Sequence, residues 1–325
     1  VKLVAWSLFT CTVVIVPVGV VLGIAGHGQI ELPAGRESEL LVEIVAEVAA
    51  ALFAVVGLLV ARRQPGNPIG WIFLVSAAAL AVMGAAYGYA DLALYGGKDW
   101  AGGTWAGWLA SWLLIVPVFV GPCLVAQLFP EGRPLSRRWR KVLWLSVAMG
   151  TYVALAPALD PGPLGSFPTV ANPAGLPRAV GRFVVDPTWG MCILLLLGLS
   201  LVSIVLRFRR SRGVEREQLK WLAFAGGVVI GAFLVSFALD GLLPAGARLS
   251  GGVGLVGLAL IPVAVAVAIL RYRLYEIDRV ISKTLVYGAL TVVLGAAYAG
   301  LVVAGQEVFS SVAGGGDLVI AVSTL

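Results

Sequence analysis

The 325-residue chain has 23 Lys and Arg against 17 Asp and Glu, a formal charge of +6, yet only 12% of its residues are charged and 60% are hydrophobic. Soluble domains average about 25% charged residues, so a mean hydropathy of +0.98 excludes an ordinary water-soluble core. A pI near 9.4 invites a nucleic-acid reading, but the basic residues are dispersed over short segments between apolar runs, which serves topology and anionic-lipid contact and excludes nucleic acid as a partner.

A helix crossing the ~30 Å hydrocarbon layer needs about 20 apolar residues, because each adds about 1.5 Å and all backbone polar groups must be satisfied within the segment. Nine runs qualify: Leu3–Ala25, Leu40–Ala61, Ile69–Ala90, Trp105–Phe129, Trp139–Ala158, Thr188–Leu206, Trp221–Leu239, Gly251–Leu270 and Val286–Phe309. A tenth opens at Leu318 and reaches only Leu325, so the sequence reads as a piece of a longer chain. The predicted fold class is all-α, a polytopic integral membrane helical bundle of nine complete spans plus the start of a tenth. Residues 1–325 form one membrane domain, with any output module outside it. The first run exceeds the 7–15 apolar residues of a signal-peptide core and is followed by no A-x-A-like site, so a retained anchor is expected.

Short loops near span ends record orientation through their Lys and Arg. One set holds Lys2; Arg62 and Arg63; Arg133, Arg137, Arg138, Arg140 and Lys141; Arg207, Arg209, Arg210, Arg212, Arg216 and Lys220; and Arg271, Arg273, Arg279 and Lys283, which is 18 of the 23 basic residues. The alternate set holds the other five, Arg36, Lys98, Arg178, Arg182 and Arg248, with most of the acids. This predicts a multi-pass protein of the cell membrane with a cytoplasmic amino terminus.

Cys11, Cys123 and Cys192 each fall inside an apolar span, where a thiol acts as a small hydrophobe, and His27 is the sole histidine. No metal-ligand spacing, cofactor motif or catalytic constellation follows from them. Inside the spans the best candidates for a polar or ion-sensing site are Glu43 and Glu47, which share one helical face at i, i+4 near the outer end of the second run. An interfacial, solvated face is the alternative reading. Gly19-x-x-x-Gly23, Gly84-x-x-x-Gly88 and Gly227-x-x-x-Gly231 suit close helix packing within the chain, with a homodimer face as the alternative.

Two segments between spans are more distinctive. In Arg62-Arg63-Gln64-Pro65-Gly66-Asn67-Pro68-Ile69-Gly70-Trp71 the Pro-Gly pair makes a turn, Asn67 can cap, Pro68 suits the first helical position and Trp71 anchors at the interface. Further on, Arg271 to Gly288 places Leu274, Ile277, Val280/Ile281 and Leu285 at helical spacing between charges. It should lie as an amphipathic helix on the inner membrane face, bound to lipid, where Arg271, Arg273, Tyr275, Ile277, Asp278, Arg279, Ile281 and Lys283 form a candidate coupling helix.

Together, G-N-P-I-G-W and R-Y-R-L-Y-E-I-D-R-V-I-S-K-T-L-V-Y-G resemble the amino-terminal membrane region of actinobacterial sensor proteins, often sensor histidine kinases. The resemblance spans essentially the whole chain. It implies the input domain of a two-component system, followed in the family by a cytoplasmic segment with a dimerisation and kinase module that addresses a response regulator. No phosphoacceptor helix, Asn box or ATP lid occurs in this sequence.

The outer segment from Asp160 to Asp186 carries five prolines and four glycines and is expected to be an irregular loop that, with Glu31–Glu39, contacts the stimulus. The expected function is therefore a membrane input region. A small-molecule transporter or permease is the alternative, which paired interrupted helices, midplane charges and an internal repeat would favour.

Overall fold

Eight of the apolar runs fold close to their expected limits, because an apolar stretch satisfies its backbone internally only as a helix. The computed structural model describes residues 2–26, 40–97, 100–184, 186–242 and 250–270. They belong to one unit, Val1–Leu274, and the second unit, Tyr275–Leu325, lies outside the described residues. The helices are α1 (Lys2–Gly26), α2 (Leu40–Arg63), α3 (Pro68–Tyr95), α4 (Gly103–Trp112), α5 (Gly121–Leu128), α6 (Arg137–Leu155), α7 (Arg178–Val184), α8 (Asp186–Arg210), α9 (Val214–Leu242) and α10 (Ser250–Leu270).

Among the described residues seven helical segments are long and apolar enough to cross a membrane: Leu3–Gly26, Glu43–Arg63, Pro68–Tyr95, Gly103–Leu128, Arg137–Leu159, Thr188–Arg210 and Val214–Val235. The eighth run forms α10, 21 residues long. The expected ninth span and the start of the tenth lie outside the described residues.

The segment Gly103–Leu128 is not one regular helix. Between α4 and α5 stands a π-helical turn, Val116–Val120, closed by the Gly121 N–H on the Val116 carbonyl. Pro117 and Pro122 explain it: neither has an N–H to donate, and a proline ring crowds the carbonyl four residues before it, so the ladder opens by one residue.

Local signals set the helix starts. The Asn67 side chain accepts from Ile69 N at 3.0 Å with Pro68 at the first turn of α3, and Ser136 Oγ accepts from Trp139 N at 3.4 Å to begin α6. The core runs along α2 and α3, where Ala46, Ala50, Phe53 and Val60 meet Ile69, Phe73, Ala77 and Leu80, and α10 adds Leu258 and Val265. Phe53 and Phe73 pack edge to face at 5.5 Å. A close crossing of α2 and α3 explains Gly70: a Cβ there would lie 2.6 Å from Ala61 N.

The outside of the bundle is apolar as well. Leu3, Val14 and Val21 of α1 and Leu194, Leu195 and Leu201 of α8 are among the exposed large side chains. Such surface is an aggregation liability in water and the expected one in lipid.

The segment after α6 corrects the expectation of an irregular loop. Pro163–Leu164 (β1) and Phe167–Ala171 (β2) pair as an antiparallel hairpin, and α7 follows. Phe167, fully buried, packs at 5.5 Å on Tyr87 and at 6.4 Å on Tyr95 at the end of α3. Tyr95 Oη and Thr169 Oγ1 share a 2.8 Å hydrogen bond, and Asn172 Nδ2 donates to the carbonyls of Ala158 and Asp160. Polar and aromatic side chains thus bind the hairpin to the helix ends despite its prolines.

Candidate functional site

The most unusual group in the bundle is the carboxyl of Glu47. Residue 47 lies seven positions into α2, about 10 Å along the axis from Leu40, where α1 and α3 approach closely. A Cβ at Gly88 would stand 2.9 Å from Leu22 Cβ and 3.0 Å from Gly23 N, so α1 and α3 touch along their two Gly-x-x-x-Gly rows. One turn away, Gly19 and Gly84 flank Glu47, and a Cβ on either would overlap its Oε1. The two glycines make room for a carboxyl group between three helices.

Glu47 is 3% exposed, and neither carboxylate oxygen has a hydrogen-bond partner among the described residues. Glu43, half-buried, precedes it by one turn on the same face, as the spacing requires. The alternative of a solvated, interfacial face does not describe Glu47, which is enclosed by helices. A buried carboxylate without partners is strongly disfavoured, and a proton or a cation relieves that penalty. Either would neutralise the carboxyl where α1, α2 and α3 meet.

The Gly227 and Gly231 row differs. A Cβ at either position meets nothing within 4 Å, so these glycines make no close helix contact among the described residues.

At the opposite end of the bundle the basic segments converge. Arg62 lies over the Trp6 ring at 5.3 Å, joining the start of α1 to the end of α2. Asn67 Nδ2 donates to Pro130 O at 3.2 Å and to Gln64 Oε1 at 2.9 Å, which docks the α2–α3 turn on the segment after α5. Arg207, grouped with the loop charges by its position in the sequence, is instead buried. Its Nη2 donates to Gln127 O at 2.8 Å and to Arg133 O. Gln127 Nε2 donates in turn to Ser146 Oγ at 3.0 Å and Ser200 Oγ at 3.2 Å, tying α5, α6 and α8 together. A helical repeat of Ser200, Ser203 and Arg207 along α8, continued by Ser211 just past its end, was the available signal for this polar seam.

A cavity of about 420 Å³ opens at this end, lined by Gln64, Pro130, Glu131, Arg133, Gln218 and Ile269. Gln218 Nε2 donates to Ala268 O at 2.8 Å, joining α9 to the end of α10. The candidate coupling residues Arg271, Arg273, Tyr275, Ile277, Asp278, Arg279, Ile281 and Lys283 lie outside the described residues, as does the Glu31–Glu39 segment. No group of three or more His, Cys, Asp or Glu is placed to hold a metal among the described residues.

The fold and its buried carboxyl define a polytopic helical membrane protein. No family model matches the chain, and no match is found among curated proteins or solved structures.

Proposed function

We propose that the chain is the membrane input region of a signal-transduction protein, a sensor histidine kinase by the resemblance of its two inter-span motifs, with nine complete spans and the start of a tenth. The observation that carries an input role is Glu47. A carboxyl group without hydrogen-bond partners among the described residues, seated where three helices meet through glycines, is poised so that binding a proton or a cation changes helix packing. The signal is then a shift between two arrangements of α1 against α2 and α3, favoured unequally by the two occupancies. The Arg271–Lys283 segment would carry that shift to a cytoplasmic output, and a response regulator would be the final partner.

Replacing Glu47 by Gln in the full-length protein tests this. The variant is expected to express at the native level and to lose the response of its output to external pH or cations. An unchanged response overturns the input role of Glu47.

The orientation follows from the same reading, with the Lys2 end, Arg62–Pro68 and Arg207–Lys220 in the cytoplasm and Asp160–Asp186 outside. On intact cells a membrane-impermeant thiol reagent should label a cysteine introduced at Gly165 and leave one at Arg212 untouched; the reverse pattern would invert the topology.

The second reading, a transporter, is favoured by one observation: the interruption of the Gly103–Leu128 span at Val116–Val120. Substrate-dependent uptake into vesicles holding the 325-residue chain alone would establish it in place of the input role.

A further inference from the structure

The cavity at the basic end plays no part in the reading of Glu47, and its lining has a polarity of its own. Glu131 and Arg133 stand on either side of Gly132, whose φ of +73° turns the chain sharply after α5. Both are exposed, both line the cavity, and neither is held in an ion pair among the described residues. The two carboxamides complete the pattern. Gln64 Oε1 already accepts from Asn67, which leaves its amide N–H groups as donors. Gln218 Nε2 already donates to Ala268 O, which leaves its Oε1 as an acceptor. One guanidinium and one amide donor therefore share the space with one carboxylate and one amide acceptor.

A lone anion would meet the Glu131 carboxylate here, and a lone cation the Arg133 guanidinium. A ligand bearing both charges satisfies both. The cavity lies level with the ends of α2, α5 and α10 and the start of α9, where the apolar spans give way to charged loops, and Pro130 and Ile269 supply an apolar part of its wall. Purely basic pockets at such depths hold multiply anionic headgroups, and this one is not purely basic.

We propose that this cavity binds a zwitterion composed of a primary ammonium and a phosphate, the chemistry of an ethanolamine phospholipid headgroup or of free phosphoethanolamine. The Arg133 guanidinium and Gln64 amide take the phosphate oxygens, while Glu131 and Gln218 Oε1 accept from the ammonium N–H groups. A quaternary ammonium has no N–H to offer, so a choline headgroup fits poorly. The inference rests on the membrane-bundle reading and is independent of any signalling role.

The purified 325-residue chain in neutral detergent is titrated calorimetrically with phosphoethanolamine, inorganic phosphate and ethanolamine. Chain reconstituted in mixed ethanolamine and choline phospholipid nanodiscs is then analysed by native mass spectrometry for retained lipid. Phosphoethanolamine should bind about tenfold or more tightly than either single-charge probe, or ethanolamine phospholipid should be retained over choline phospholipid; the first result points to the free compound and the second to the lipid. Glu131→Gln and Arg133→Gln should each weaken that binding about tenfold. Both residues are exposed, and unchanged melting temperatures verify that the variants are folded. Phosphate binding as tightly as phosphoethanolamine, the absence of both free-compound binding and lipid preference, or variants that bind like the native chain would each overturn the proposal.

Discussion

Arg207 and Glu47 are both buried in apolar helices, 7% and 3% exposed, but their surroundings differ. Arg207 reaches two backbone carbonyls through Nη2, across a seam in which Gln127 bonds both Ser146 and Ser200, while its buried Nε is without a partner among the described residues. Glu47 lies in a slot walled by two glycines and receives no hydrogen bond from the described residues. Charge inside a bilayer is tolerated when it is bonded, and the Arg207 seam accordingly serves to hold α5, α6 and α8 together. A slot that accommodates a carboxyl without satisfying it does nothing comparable for the bundle. The difference separates a charge that the fold uses for cohesion from one that is available for binding.

Stability measurements can break this comparison. Arg207→Met leaves the carbonyls of Gln127 and Arg133 without their donor, and two charge-assisted bonds at about 1.5–3 kcal/mol each set the scale. We expect a loss of roughly 3 kcal/mol in reversible unfolding in detergent. Glu47→Gln, which matches the shape of a neutral carboxyl and breaks no hydrogen bond among the described residues, should change stability by less than about 1 kcal/mol. Equal losses from the two substitutions would erase the distinction.

The slot itself can be sharpened by a pair of substitutions. Gly84→Ala places a Cβ against the Glu47 carboxyl and should lower stability by about 1–3 kcal/mol, the range for overpacking. The three atoms nearest to this Cβ all belong to Glu47, so in a Glu47→Ala background the same change should be nearly neutral. A cycle without coupling would mean that α2 and α3 do not meet as described. Gly227→Ala, with open space around it, serves as the control and should fall within about 0.5 kcal/mol of the native protein.

Asn67→Ala probes the basic end, where the side chain caps α3 and also holds Pro130. Loss of the cap alone is worth about 1 kcal/mol, with the bond to Pro130 adding up to a similar amount. Thermal unfolding that is unaffected by this substitution would show that the α2–α3 turn docks without Asn67. The same contact explains the G-N-P-I-G-W motif structurally: Asn67 caps and bridges, Pro68 starts the helix, buried Ile69 fills the core and Gly70 allows α2 to approach.

Much of the helical framework was legible from the residues. The seven membrane-length segments and α10 lie close to the limits read from apolar length, since a run's hydrophobicity and its internally bonded backbone are properties of that segment alone. Asn67, Pro68 and Ser136 act within a turn of their own positions, so their capping roles could be read locally. The common face of Glu43 and Glu47 needed only the helical repeat. Pro117 and Pro122 mark the interrupted span, yet their length of apolar sequence concealed the π-turn.

Partner choice was decided only in three dimensions. Three Gly-x-x-x-Gly rows look alike in the sequence, but two face each other and the third meets nothing among the described residues, because the row supplies room and the bundle determines what fills it. Arg207 is followed by Arg209 and Arg210 and shares their composition, while its position on the face of α8 turned toward α5 buries it. Phe167 sits among prolines and glycines that signal a loop, and its hairpin is held by Tyr87 and Tyr95, distant along the chain. Burial of Glu47 belongs to the same class. The residues that enclose it come from α1 and α3, and a local reading of α2 contains neither helix's distance nor the glycines turned toward it.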